Sequence, residues 1–393
     1  MTGPRPPVAI PLAAWADRQL AAFARLAPDA SLDRISGAGL LGERAALNGF
    51  VVPDAVSAGG GCRLLATADS HVALNLAREE DRTMLPALFG DGALDPADDA
   101  AITEKFARSD ALTIVSRARE MGLAVAALAE TAPCSVCAVM TRGPRRAPAA
   151  EPPLVIDLAA LWAGPLAGSL LALAGARVIK VESRTRPDAM RQGDAALFAR
   201  LNAGKDSVCI DFGDAKQREA LLRLLSRADI VIEAARPRAL LQLGIDADAL
   251  VRAVPGLVWV TITGHGTCGE AADWVGFGDD CGVAGGLSGA LLAATGTIGF
   301  VGDAIADPLT GLAAARLALA RYRRGAGGRL GLSMAGVVAA ALAYERRRDP
   351  EALAASLRAW AAAVETPFPP VATRPAGSIR PLGADNARWL GEC

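Results

Sequence analysis

The chain has 393 residues, enough for two or three domains with buried cores. Its 41 Lys and Arg nearly balance 42 Asp and Glu, and the net charge of −1 excludes a general attraction to nucleic acid or to an anionic membrane. Hydrophobic residues make up 52% and aromatic residues only 4%, so the core must be built mainly from Ala, Leu, Val and Ile.

Two uncharged stretches, residues 158–176 and 281–302, reach the length of about 18 residues at which a membrane span must be considered. Both are rich in Gly and Ala, and the first contains Pro165, which favours buried α/β elements over a Leu-rich span. The first residues lack the basic and apolar regions of a signal peptide. We therefore expect a cytoplasmic protein without a membrane segment.

Seven cysteines and two histidines limit the disulfide and metal chemistry. The odd number and scattered spacing of the cysteines argue against a disulfide framework. The sequence CSVC at 134–137 is a single C-x-x-C, for which a redox pair is one interpretation. A zinc site needs about four ligands, and no second pair accompanies this one. The sequence therefore predicts reduced cysteines and no metal site.

The region 1–140 is predicted to be a small α+β unit. Residues 12–27 have the apolar spacing of a helix. After three glycines at 59–61, two short apolar segments flank a turn at 69–70, which predicts a hairpin entered from a glycine-rich loop.

Helical spacing returns in residues 78–89 and 111–130. Residues 141–153 then combine Pro, Gly and Arg and are predicted to be a linker.

Between residues 154 and 345, short apolar strands alternate with helices, which predicts parallel βαβ units and an α/β fold with a doubly wound, Rossmann-like sheet. Such sheets bind ligands at the carboxyl ends of their strands. No G-x-G-x-x-G follows the first strand and no Walker A sequence occurs, so neither phosphate-binding fingerprint is predicted. Residues 346–393 are predicted to form a C-terminal helix and tail.

The segment GDAIADPLTG, residues 302–311, places two aspartates in an apolar neighbourhood. Asp307 precedes Pro308, and Pro is favoured at the first position of a helix, so Asp307 is predicted to lie at a helix N-terminus. A cap of that helix and a reacting carboxylate are both compatible with this position. Asp303 is interpreted as a loop residue, with a contribution of charge near Asp307 as the alternative.

Five segments in order resemble family III CoA-transferases, the carnitine dehydratase and bile-acid-inducible type. They are VIDLAALWAGPLAGSLLALAGARVIKVE (155–182), LNAGKDSVCIDF (201–212), ADIVIEAARPRALLQLGI (228–245), LVWVTITGHGTCG (257–269) and IADPLTGLAAA (305–315). Each segment alone is a weak signal, but five in the correct order are fairly specific.

Two further segments extend the resemblance to about two thirds of the chain. Residues 57–76 resemble the glycine-rich loop and small domain of the family, which normally follow the large domain but precede it here. PLGADNARWLG near the C-terminus resembles the closing segment. The small-domain-like part is therefore predicted to be N-terminal, either because the domains are rearranged or because the end of one copy is fused to a second.

The resemblance implies that Asp307 is the catalytic carboxylate. In this family an aspartate attacks an acyl-CoA thioester, forms a mixed anhydride, and then carries CoA as an aspartyl thioester until an acceptor acid takes it. Asp279 and Asp280 are candidate supporting acids, with an exposed turn as the alternative. Gly59, Gly60 and Gly61 are the corresponding candidates for a loop that shields the intermediate.

The resemblance also implies CoA as a substrate, with no permanently bound cofactor. The candidate CoA contacts combine a tight turn, cations near strand ends and an aromatic position of the loop, namely Trp162, Ala163, Gly164, Pro165, Lys180, Arg184, Lys205, Arg236 and His265. Two departures, Ala234 and Asp206, occupy positions where relatives carry Asn and Arg, which puts the details of CoA contact in doubt.

Two alternatives to CoA transfer stay open. A 2-methylacyl-CoA racemase needs a His and the Asp on opposite faces of the substrate, but no His follows residue 265. A non-catalytic CoA-binding subunit is the second. Family members are interlocked homodimers, so the expected partners are an acyl-CoA, a carboxylic acid and a second copy of the chain, with no nucleic acid and no membrane.

Overall fold

The computed structural model describes residues 8–28, 32, 34–148 and 151–391. Outside the described residues lie the start of the first predicted region, the end of the last one, and residues 149–150 of the predicted linker. Among the described residues, none of the helices combines the length and the hydropathy needed to cross a membrane.

The first third of the chain forms two helices that belong to the large core and a separate α+β unit. These elements are α1 (Ala13–Ala24), α2 (Gly37–Asn48), β1 (Cys62–Ala66), β2 (His71–Asn75), α3 (Glu79–Thr83), α4 (Leu85–Phe89), α5 (Asp99–Ala107), α6 (Ala111–Glu120) and β3 (Ala124–Ala127).

Six strands of the large sheet follow, and from the second of them onward they are separated by helices. These elements are β4 (Ala138–Arg145), β5 (Leu154–Asp157), α7 (Ala163–Leu173), β6 (Arg177–Ser183), α8 (Met190–Gly193), α9 (Ala195–Asn202), β7 (Asp206–Ile210), α10 (Ala215–Leu225), β8 (Ile230–Glu233), α11 (Pro237–Gln242), α12 (Ala247–Ala253) and β9 (Val258–Thr263).

The remainder of the chain is mainly helical. A 3₁₀ turn at Glu270–Ala272 precedes α13 (Gly278–Ala284), α14 (Leu287–Thr295), α15 (Ala306–Arg323), β10 (Ala326–Ser333), α16 (Met334–Arg348), α17 (Pro350–Ala361) and α18 (Asn386–Leu390).

The large sheet has seven strands in the order β4-β10-β9-β8-β5-β6-β7, and every pair except β4–β10 is parallel. Alternate side chains of its strands join two cores on opposite faces. Val155 and Val260 pack with α7 and α15, whereas Ile156 and Trp259 pack with α10 and α12. The prediction of a doubly wound α/β fold is confirmed.

The small sheet is antiparallel in the order β1-β2-β3, and the predicted hairpin is confirmed by the pairing of β1 with β2. One face of this sheet packs on α4, α5 and α6. Its other face, with Leu64, Ala73 and Ala126, joins the core of the large part through α13. The small sheet therefore lies against the helix that begins with Asp279 and Asp280.

The helix predicted over 111–130 is only half correct, because α6 ends at Glu120 and β3 follows. Gly122 has φ +78°, a conformation that glycine adopts readily and that stops the helix. The predicted linker 141–153 begins within β4. Pro144 is tolerated in β4 because an edge strand leaves one side of its backbone unpaired.

The predicted boundary at residue 345 falls within α16, and the residues beyond α17 return to the N-terminal helices. Val52 and Thr366 are joined by a backbone hydrogen bond of 2.8 Å. Glu43 of α2 holds Arg374 in a buried ion pair with Nη2–Oε2 2.6 Å. These contacts fix α2, and with it the next residue, Arg44.

Candidate active site

Asp307 lies in the first turn of α15, as predicted, but it does not cap that helix. Ile305 is the N-cap residue of α15, and the Asp307 side chain instead accepts a hydrogen bond of 3.3 Å from the backbone N–H of Ala163. Ala163 is the first residue of α7. The carboxylate is thus placed at the N-termini of two helices, where partial positive charge favours an anion.

Asp303 lies in the loop before α15, as predicted, and is fully buried. Its carboxylate binds both arms of the Arg44 guanidinium, with Nε–Oδ2 2.9 Å and a second contact from Nη2. Arg44 also stacks over the ring of Trp162, 5.2 Å from its centre. Burial opposes the charge of Arg44, but the contact with Asp303 raises the pKa of Arg44 above its ordinary value and keeps it cationic.

Asp279 adds a third carboxylate to this group and fixes the loop before α15. Its Oδ1 accepts the backbone N–H of Ala304 at 2.9 Å. The preceding residue, Gly278, lies against Asp307, since a Cβ built at Gly278 would be 2.2 Å from Oδ2 of Asp307. Only glycine allows the backbone to approach Asp307 so closely. Asp279 and Gly278 therefore hold the Asp307 carboxylate in place.

The acid cluster, defined as Asp279, Asp303 and Asp307 with Arg44, has a strongly perturbed protonation equilibrium. Burial raises the pKa of Asp307 to about 7 and that of Asp279 to about 6, and Arg44 opposes both shifts. Neighbouring carboxylates raise both pKa values further. Carboxyl groups that titrate near neutral pH are typical of sites of chemistry.

The predicted shielding loop lies beside the acid cluster. A Cβ built at Gly59 would be 3.2 Å from Nη2 of Arg44, and Gly60 has φ +76°, which favours glycine. The glycine-rich loop thus contacts Arg44, although its segment precedes the large domain in the chain. Its role in shielding stays a prediction.

The predicted turn at 162–165 is divided between two environments. Trp162 and Ala163 belong to the acid cluster through Arg44 and Asp307. Gly164 is packed so tightly that a Cβ would lie 2.2 Å from Cβ of Ala159, and the carbonyl of Pro165 accepts a hydrogen bond within the core.

Lys180 and Lys205 do not fit the predicted role of binding CoA phosphates. Both side chains are buried, and Lys180 Nζ lies 2.9 Å from Asp188, while Lys205 Nζ lies 2.7 Å from Asp157. Burial lowers the pKa of Lys205 to about 8. The ammonium groups are used inside the protein to satisfy buried carboxylates, so no face is left for a phosphate.

The predicted arginine contacts lie on the surface. Arg184 is exposed after β6, and Arg236 lines a cleft of about 240 Å³ at the ends of β8 and β9. Residues of α11 and α12 also line this cleft, which places it on the face of the sheet opposite to α7 and α15. The cleft and the acid cluster are therefore separate features.

His265 and Asp280 lie together behind the acid cluster. Asp280 is fully buried and accepts hydrogen bonds from the backbone N–H of Phe277 and from Asn75, at 2.9 and 3.0 Å. His265 Nε2 lies 3.3 Å from the other oxygen of Asp280. Asp280 is thus a buried capping residue of α13 and not part of an exposed turn.

Arg44 was missed by the sequence reasoning. Its partner Asp303 is 259 positions away, so no local pattern joins them. The available signal is the pair of charges at Glu43 and Arg44 within the otherwise apolar segment GAGLLGERAALNG, because charges on an apolar helix surface are usually paired when buried.

The chain matches the family model described as CoA-transferase family III over residues 153–353, slightly more than half of its length, and it belongs to that family. The match covers the large sheet from β5 to β10 together with Asp279, Asp303 and Asp307. Arg44 and the glycine-rich loop lie outside it.

Several characterised relatives are similar to part of the chain. A succinyl-CoA–D-citramalate CoA-transferase of Chloroflexus aurantiacus is 33% identical over 188 residues, 44% of this chain and 46% of the relative. A succinate–glutarate CoA-transferase of Agrobacterium fabrum is 36% identical over 151 residues, 35% of this chain and 38% of the relative. The chain thus spans less than half the length of these curated relatives.

Solved structures of the family are also similar. The crystal structure of a hypothetical protein from Mycobacterium tuberculosis has a TM-score of 0.46 and 29% identity, and the match covers 53% of this chain and 60% of that one. A CaiB/BaiF family protein from Brucella suis has a TM-score of 0.45 and 28% identity, covering 52% and 59%.

Proposed function

We propose that this protein is a CoA-transferase, which moves CoA between an acyl-CoA thioester and a free carboxylic acid, and that Asp307 is its nucleophile. The observation that carries the proposal is the placement of Asp307 at two helix N-termini, in a desolvated cluster that raises its pKa to about 7. The names of similar family members, which include several CoA-transferases, support the class of reaction.

The first half-reaction transfers CoA from the donor to the enzyme. The Asp307 carboxylate attacks the thioester carbonyl and the C–S bond breaks. CoA leaves as a thiolate, and the acyl group stays bound to Asp307 as a mixed anhydride. The thiolate then attacks the aspartyl carbonyl, which releases the donor acid and leaves an aspartyl-CoA thioester. The acceptor carboxylate reverses these two steps, so no oxidant, metal or external proton donor is needed.

The environment of Asp307 supports these steps. Ala163 donates to Oδ1, and the positive ends of α7 and α15 stabilise the anion that attacks. The apolar residues of the core exclude water, which would hydrolyse the anhydride. Arg44 balances the charge of the cluster and is held in place by Asp303.

Binding of CoA is proposed through the surface near the turn at 162–165 and through the exposed cation Arg184, whereas Arg236 lies in the separate cleft on the opposite face of the sheet. The donor and acceptor acids are proposed only as a class. We also propose a homodimer, which light scattering coupled to gel filtration would test.

The test is mass spectrometry of the intact protein after incubation with a panel of acyl-CoA thioesters. We expect a covalent CoA or acyl adduct on Asp307 that disappears in Asp307→Ala. Asp246→Ala, which removes a cap of α12 far from the acid cluster, serves as the matched control and should retain the adduct. CoA binding without any adduct would identify a binding subunit, and the transferase proposal would be wrong.

A second assay distinguishes the racemase. A racemase exchanges the hydrogen α to the thioester carbonyl with solvent, so deuterium incorporation into a 2-methylacyl-CoA without CoA transfer would contradict the proposal. His265 is buried and faces Asp280 and Glu130, which supports a role other than an exposed second base.

A further inference from the structure

Three buried side chains with different donor atoms meet behind the acid cluster. They are His265 from the loop after β9, and Asp280 and Cys281 from the first turn of α13. One ligand atom of each lies within 4.8 Å of the others. Asp280 and Cys281 are completely buried, and the side chain of His265 is 2% exposed.

The imidazole of His265 is not satisfied by hydrogen bonds. Neither Nδ1 nor Nε2 has a hydrogen-bond partner of acceptable geometry, although both are buried. A buried polar group without a partner keeps the full cost of its desolvation, so such a group calls for a ligand or another explanation.

Two of the three separations between the ligand atoms are close to those of a tetrahedral metal site, and the third is within 4.8 Å. Nε2 of His265 lies 3.3 Å from Oδ2 of Asp280, and Sγ of Cys281 lies 3.8 Å from the same oxygen. Metal bonds of about 2.3 Å to sulfur and about 2.0–2.2 Å to nitrogen and oxygen place tetrahedral ligand atoms roughly 3.3–3.6 Å apart. Small movements of these side chains would suffice to bind an ion.

The neighbours of Asp280 and His265 orient these side chains as the outer groups of a metal site orient its ligands. Oδ1 of Asp280 accepts from Phe277 and Asn75, which orients the carboxylate and leaves Oδ2 directed at His265. On the other side of the imidazole, Nδ1 faces Oε1 of Glu130 at 3.7 Å. Histidine ligands commonly direct their second ring nitrogen toward a carboxylate.

Gly276 leaves the space between the nitrogen and the sulfur free. A Cβ built on it would lie 2.7 Å from Sγ of Cys281 and 2.8 Å from Nε2 of His265. Any larger residue would fill the position next to both ligand atoms.

We propose that His265, Asp280 and Cys281 bind one divalent transition-metal ion, with Zn²⁺ the best match to a thiolate, an imidazole and a carboxylate. The proposal revises the prediction of no metal site and does not depend on the CoA-transferase activity. A bound ion would join the loop after β9 to α13, and through Asn75 to the small sheet.

The experiment uses the full chain with Cys134→Ser and Cys137→Ser, because this pair, of which Cys134 is exposed and Cys137 half-buried, could bind metal independently. After chelation and dialysis, the protein is titrated with Zn²⁺ in competition with a chromogenic chelator, and with Co²⁺ while the absorption spectrum is recorded. We expect one equivalent of each metal, a thiolate-to-cobalt charge-transfer band, and a rise in Tm with Zn²⁺.

Two variants, Cys281→Ala and His265→Ala, should lose the stoichiometric Zn²⁺ binding, and Cys281→Ala should lose the charge-transfer band. Cys209→Ala, a buried cysteine of β7, is the matched control and should retain both. If the variants do not fold, X-ray absorption spectroscopy of the Zn²⁺-loaded protein with only Cys134→Ser and Cys137→Ser tests the proposal. We expect one sulfur atom among the ligands of the ion. No stoichiometric binding, or binding without a sulfur ligand, would overturn the proposal.

Discussion

Replacement of Asp307 by Asn is expected to stabilise the fold at alkaline pH. Burial raises the pKa of Asp307 from 3.8 to about 7. Because the folded pKa is raised, the stability that Asp307 contributes is complete below pH 3.8 and is lost as the pH rises through about 7. Each pKa unit corresponds to about 1.36 kcal/mol, so an ionised Asp307 costs at most about 4 kcal/mol at pH 8.

The neutral amide of Asn avoids this cost. The free energy of unfolding of Asp307→Asn should therefore equal that of the native protein near pH 4 and exceed it increasingly up to pH 8, measured by urea unfolding at each pH. Asp303→Asn is the control with the opposite sign. It leaves the buried guanidinium of Arg44 without its charged partner and should lower stability at neutral pH.

The result also tests whether the charge of Asp307 supports the fold. Asn keeps a side-chain oxygen that can accept the hydrogen bond from Ala163, so only the charge is removed. If Asp307→Asn lowered the free energy of unfolding at pH 8, the desolvation argument would be refuted.

Three other substitutions test the site. Arg44→Met removes the cation that opposes the raised pKa of Asp307, so the pH of half-maximal CoA transfer should rise by about one unit or more; an unchanged pH–rate profile would contradict this. Lys205→Met should lower the free energy of unfolding by about 3–5 kcal/mol in urea and leave CoA binding in calorimetry unchanged. Weaker CoA binding by this variant would show that Lys205 contacts CoA. Gly278→Ala should abolish the covalent adduct by displacing the carboxylate, whereas Gly282→Ala, whose Cβ meets its nearest neighbour at 3.5 Å, should retain it.

The large sheet could be predicted because its information is local. Each apolar strand and each amphipathic helix can be recognised from a pattern within about ten to twenty residues. The parallel pairing of the strands follows from the βαβ order. Asp307 could be placed at a helix N-terminus for the same reason, since Pro308 follows it directly.

The partners of Asp307 could not be predicted, because they depend on long-range packing. Ala163 is 144 positions away from Asp307, and Arg44 is 259 positions away from Asp303. Lys180 shows the converse error. Its position near a strand end predicts a cation that contacts CoA, but Lys180 lies in β6, a strand buried on both faces, where an ammonium group must find internal acceptors.

The contact between Glu43 and Arg374 has a consequence for folding. These residues are 331 positions apart, so the ion pair forms only after the chain has been synthesised as far as Arg374. Closing so long a loop makes a late and slow step, and the small-sheet unit and the large sheet can both form before it. Because Arg44 follows Glu43 directly, this contact also fixes the residue that pairs with Asp303.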